Sequence, residues 1–150
     1  MFKRQVMLEC ISALLILLFL YASVSKFLDF KTFIKEMNNQ PLPNSWTPFL
    51  VWFIPCSEIL FSLALIFERT RLLGLYGSLV LMGLFTIYAT LILLHVFPYV
   101  PCSCGGVIKR LTWKQHLVLN LFFVTLSIVG VIAQRKKSFH SIVLTKNSFV

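Results

Sequence analysis

Four stretches, about 6–28, 47–67, 72–96 and 113–133, are each an almost uninterrupted run of apolar residues at least twenty residues long. About 20 residues of helix cross a hydrocarbon core of about 30 Å, so each run is long enough to span a bilayer. None shows the residue-by-residue alternation of a transmembrane barrel, and each is too long for a strand. Helices are then the structure that satisfies every backbone N–H and C=O in lipid, and an all-α integral membrane four-helix bundle follows. Composition agrees: hydrophobic residues make up 58% and charged residues 13%, against about 45–50% and about 25% in soluble domains. An ordinary soluble enzyme is excluded. So is intrinsic disorder, because the chain carries 15 Phe, 4 Tyr and 3 Trp, whereas disordered chains are poor in aromatic and apolar residues.

The ends of the runs carry the expected punctuation. Glu9 and Lys26 flank the uncharged interior of the first span and can snorkel to lengthen it. Pro48 lies in the first turn of the second, and Trp46 and Trp52 lie where an interfacial aromatic belt would place them. The third is uncharged until His95, and Gly74 and Ser78 within it form a small-xxx-small pair suited to close helix packing. Gln134 and the run Arg135-Lys136-Lys137 close the fourth, which divides the chain into a spanning unit over 1–134 and a short basic tail over 135–150.

Four spans put both termini on one side. Lys3, Arg4, Arg69, Arg71, Arg135, Lys136, Lys137 and Lys146 lie on the side of the termini, and Lys26, Lys31, Lys35, Lys109, Arg110 and Lys114 on the other. The positive-inside rule therefore places the termini in the cytoplasm of an inner-membrane protein, with the 29–46 and 97–112 loops outward. The N-terminus also resembles a secretory signal, with Ser23 and Ser25 as small residues near a cleavage point, but removal would leave three spans. The net charge of +9 reads as orientation and contact with anionic lipid. Nucleic acid is not expected, since no helix-turn-helix or aromatic-basic platform accompanies the one basic run.

The segment Pro98-Tyr-Val-Pro101-Cys102-Ser-Cys104-Gly105-Gly106 is the most informative for chemistry. Its two Pro and two Gly force a turn around a Cys-x-Cys. A disulfide between residues i and i+2 would be strained, and strained, exposed disulfides are oxidising and labile, which suits a redox-active pair. Two other readings stay open. The thiols can be passive loop residues, or Cys102 and Cys104 can join His95 and His116 in a zinc or copper site, although Cys-x-Cys is tight spacing for one tetrahedral ion.

Beyond the loop, Trp113, His116 and Asn120 share one helical face, with His116 placed to exchange protons with a thiol or to be held by a hydrogen bond inside the bundle. Glu58 falls about mid-membrane, eleven residues into the second span, where an acid is expensive and is a candidate for a proton or ligand role. Lys26 can partner it if the first helix sits deep, or Tyr21 or Tyr88 can donate instead. Cys56 is expected as a small buried apolar residue, with a second reading as a resolving thiol, and Cys10 lies too far inward to reach the outer loop.

The Cys-x-Cys-Gly-Gly segment, the Trp113-x-x-His116-x-x-x-Asn120 helix start, the run Tyr21-Ala-Ser-Val-Ser-Lys26-Phe-Leu-Asp and the Glu58-Ile-Leu segment together resemble the methylamine utilisation protein MauE family, within the wider DoxX-like membrane group. Gly105-Gly106 departs from the family's pattern. The resemblance covers about residues 10 to 133 and implies a redox-associated inner-membrane protein. Its expected task is to help process, export or mature the disulfide-rich β subunit of methylamine dehydrogenase with a thioredoxin-like extracytoplasmic partner, Cys102 and Cys104 matching the family's pair. Electrons can then pass to a quinone in the bundle with Glu58 taking up protons, although no cofactor motif marks such a site. Two rivals follow: a non-catalytic membrane scaffold subunit, and a DoxX-like subunit of a quinone-linked oxidase.

Overall fold

The computed structural model describes the backbone of residues 2–97 and 112–147 and the side chains of 3–97 and 112–136. Among the described residues five α-helices form in the order α1 (Phe2–Leu28), α2 (Phe30–Asn38), α3 (Thr47–Ile66), α4 (Arg71–Leu93) and α5 (Trp113–Asn147), with a 3-10 turn at Asn44–Trp46 before α3. Four of them, α1, α3, α4 and α5, are long and apolar enough to cross a membrane. The chain is a multi-pass, all-α membrane protein.

Going round the bundle, α1 packs on α3, α3 on α4, α4 on α5, and α5 closes back on α1. Sequential helices are thus neighbours, as short connections favour. The interior holds Ile11, Leu15, Leu18 and Phe19 of α1, Leu65 of α3, Leu75, Leu81 and Met82 of α4, and Phe123 and Val131 of α5. Large apolar side chains such as Leu17, Leu60, Leu84, Val118 and Phe122 point outward, as they must where the surroundings are acyl chains. Lipid is as apolar as leucine, so close packing rather than hydrophobic burial has to hold the helices together. Ser23, Ser62, Ser78 and Ser127 are fully buried between helices. Each hydroxyl donates to a carbonyl one turn back in its own helix, at 2.7–3.1 Å, so small side chains permit close approach without orphaned donors.

The α3–α4 hairpin is closed by its own turn. Thr70 Oγ1 donates to the Ala64 carbonyl at 2.8 Å and Arg71 Nε to that of Leu65 at 3.4 Å, which supplies partners for carbonyls at the end of α3. The small-xxx-small reading holds here: a Cβ on Gly74 would stand 2.9 Å from the Leu65 backbone nitrogen.

Three boundaries differ from the sequence reading. The 29–46 connection, expected as a loop, contains α2, nine residues with Phe33 buried and Lys31 and Lys35 exposed. So short a helix is marginal alone and depends on tertiary contact for its stability. The third span ends at Leu93 rather than Val96, because His95 takes a left-handed conformation, φ 54°. The Val96 amide donates to the Leu91 carbonyl and the His95 amide to that of Ile92, a Schellman motif with His in the place usually held by glycine. Finally, α5 does not stop at Ala133 but runs through the basic stretch to Asn147, since Lys and Arg are good helix formers and a polar face ends the membrane span without ending the helix.

Candidate functional site

Polar side chains from α1, α3, α4 and α5 are brought together toward the end of the bundle where α2 lies. Lys26 Nζ donates to Glu58 Oε1 at 2.7 Å, with side-chain exposures of 11% and 1%. This resolves the partner of the intramembrane acid: α1 does sit deep enough, Tyr21 is exposed, and the Tyr88 hydroxyl donates instead to Gln40 Oε1 at 2.6 Å. The second carboxylate oxygen, Oε2, is buried and makes no hydrogen bond among the described residues. The Lys26 ammonium also donates to the Ala22 carbonyl at 3.5 Å and stands 6.0 Å from the centre of the Phe33 ring. Taking two ions out of water is costly, and only their mutual contact and added hydrogen bonds make the pair tolerable.

Beside this pair lies a cavity of about 210 Å³. Lys26 lines it from α1, Phe33, Glu36 and Met37 from α2, Ile54 from α3, Phe85 and Tyr88 from α4, and Trp113, His116 and Asn120 from α5. The expectation that Trp113, His116 and Asn120 share a face is met, and the shared face is the cavity wall. His116 is 6% exposed and its ring centre lies 6.1 Å from that of Trp113, whose ring in turn meets Tyr88 edge-on at 6.1 Å. Asn120 is 9% exposed on the same wall. The contribution of α2 escaped the sequence reading. Its signal was present in Phe33, Glu36 and Met37, spaced i, i+3 and i+4 as one helical face.

The remaining candidates are distributed as follows. Cys102 and Cys104 lie outside the described residues. His95 is exposed and terminates α4, and among the described residues no three His, Cys, Asp or Glu side chains gather as a metal site. Cys56 is not buried as expected: it is an exposed free thiol on the outward face of α3, because Pro55, Ser57 and Glu58 occupy the inward positions around it. Cys10 is likewise free and exposed.

The arrangement offers a membrane-embedded ion pair, an apolar chamber with aromatic walls, and a few polar groups aimed into it. The ring of Phe97 stands 6.2 Å, centre to centre, from that of Tyr88 on the cavity wall. No curated protein and no solved structure matches the chain in comparison. The sequence profile of one family, described as methylamine utilisation protein MauE, matches residues 4–133, taking in all four spans and the Cys-x-Cys segment between the last two. With most of its length matched, the chain belongs to the MauE family.

Proposed function

We propose that this protein is an accessory membrane protein of methylamine utilisation that supports thiol-disulfide exchange on an extracytoplasmic client, with a thioredoxin-like protein as its partner. The reading places it in the inner membrane with both termini cytoplasmic and the Cys102/Cys104 pair outward. The observation that carries it is the family match across residues 4–133, which includes the cysteine pair. The convergence of Lys26, Tyr88, His116 and Asn120 on one cavity supports it. In this scheme a client thiolate attacks the Cys102–Cys104 disulfide, and a second client thiol then resolves the mixed disulfide. The client leaves oxidised and the pair leaves reduced. His116 acts as the base for the thiols, and Glu58 with Lys26 holds a proton within the bundle.

The test is labelling of intact cells with a membrane-impermeant thiol reagent before and after mild reduction, comparing the wild type with a Cys102→Ser/Cys104→Ser variant. Labelling that appears only after reduction and disappears in the variant is the expected result. Labelling of the pair without reduction would overturn the disulfide. Labelling of the pair only in permeabilised cells would overturn the orientation and the mechanism with it.

A further inference from the structure

The geometry points to a phosphate-binding site at the end of the bundle away from α2, where α3 turns into α4. It takes a phosphate group whose carrier also offers a hydroxyl donor, as a phosphatidylglycerol headgroup or hydrogen phosphate does. Three buried polar side chains gather there. Ser12 of α1, Arg71 of α4 and Gln134 of α5 are 4%, 7% and 9% exposed, and Ser12 Oγ, Arg71 Nη1 and Gln134 Oε1 make no hydrogen bond among the described residues. Their common level follows from the packing, because a Cβ on Gly130 would stand 2.8 Å from Leu75 Cδ2 and 3.3 Å from Ile11 Cγ2. Arg71 lies one turn before Leu75 and Gln134 one turn after Gly130, on consecutive spans that run in opposite directions, so the two share a level, and Ser12 directly follows Ile11. Ser23, Ser62, Ser78 and Ser127 satisfy themselves on their own helices, whereas Ser12 does not.

Buried polar groups find partners, and charge decides which. Arg71 forms no ion pair among the described residues, and its Nε donates to the Leu65 carbonyl at 3.4 Å. A buried guanidinium without a counter-ion calls for an anion, and its planar fork of donors matches phosphate oxygens. The same place is the N-terminus of α4, a 23-residue helix whose N-cap residue Thr70 makes no side-chain cap bond, its hydroxyl being turned to the Ala64 and Phe67 carbonyls. The N–H groups of the first turn therefore add donors and the positive end of the helix dipole. Gln134 Oε1 narrows the chemistry further, since a carbonyl oxygen only accepts and needs a donor from the ligand. An ionised carboxylate or a sulfate offers acceptors alone; a phosphate with a hydroxyl offers both. Arg71 begins one span and Lys136 ends another, which puts the site at the depth of lipid headgroups. The assignment is independent of the thiol-exchange reading and of which side of the membrane this end faces.

Diffuse attraction of a basic surface to anionic lipid treats neighbouring cations alike, and a built site does not. The melting temperature of delipidated protein in detergent, titrated with dioleoylphosphatidylglycerol, is expected to rise to saturation. The midpoint should lie about tenfold below that for dioleoylphosphatidylmethanol, an anionic lipid whose headgroup lacks the hydroxyl, the difference that follows from one hydrogen bond. Arg71→Gln should raise the phosphatidylglycerol midpoint by about tenfold or more. Arg69→Gln, which removes the same charge from an exposed neighbour, should change it by less than about twofold. Arg71 also holds the α3–α4 turn, so Gln134→Leu serves as the second variant: Arg71 is kept, and the two lipids should bind alike. Sodium phosphate separates the sources. Saturable stabilisation by phosphate but not by sulfate, with competition against the lipid, would assign the site to soluble phosphate; lipid saturation unmoved by phosphate would assign it to the headgroup. A rise without saturation, equal effects of Arg69→Gln and Arg71→Gln, or a wild type that does not distinguish the two lipids would each overturn the proposal.

Discussion

Lys26 and Glu58 show how a membrane interior forces partnership. With a 2.7 Å contact and 1% exposure at the carboxylate, neither ion has bulk water to fall back on. Removing one partner strands the other: Lys26→Met is expected to cost about 3–5 kcal/mol, and adding Glu58→Leu should restore most of it, because an apolar pair avoids the desolvation penalty altogether. Unfolding in mixed micelles of the two single variants and the double variant checks this, and additive losses would contradict it. Tyr88→Phe removes the 2.6 Å hydrogen bond to Gln40, whose loss should cost about 1 kcal/mol. Because that bond ties α4 to the chain just after α2, the same substitution should raise hydrogen exchange in Phe30–Gln40 more than in α5.

Glycine makes the packing of α4 legible helix by helix. At Gly74 an added methyl would meet Leu65 backbone nitrogen at 2.9 Å and the Ala64 carbonyl carbon at 3.1 Å, both fixed atoms of α3. At Gly83, nine residues on in the same helix, it would meet nothing within 4 Å. Gly74→Ala must push two helices apart and should lower the melting temperature clearly. Gly83→Ala gains helix propensity and should be neutral or stabilising by up to about 1 kcal/mol. Equal effects of the two would mean that propensity, rather than helix contact, governs α4. Termination of the same helix depends on His95 in a left-handed conformation. His95→Gly is therefore expected to be tolerated, and a metal-ligand role for His95 would instead make it damaging.

For the bundle as a whole, the proposed orientation rests on charge. Reversing the excess of Lys and Arg beside the termini should weaken or invert insertion, which reporter fusions at the C-terminus would register. The spans, their number and the all-helical fold were fixed by composition and run length alone, because in lipid the backbone has no other way to satisfy itself. The face shared by Trp113, His116 and Asn120 was equally readable, since helical periodicity is a local property. The partner of Glu58 was not: Lys26, Tyr21 and Tyr88 were all admissible until the relative depth of α1 and α3 chose the first. Nor was the inward or outward sense of Cys56, in a span apolar on every side, where periodicity carries no signal. The part played by α2 in walling the cavity depended on contacts between distant segments, down to the bond between Gln40 and Tyr88. Local sequence decides which segments cross the membrane as helices; which polar groups meet between them is decided only when the helices pack.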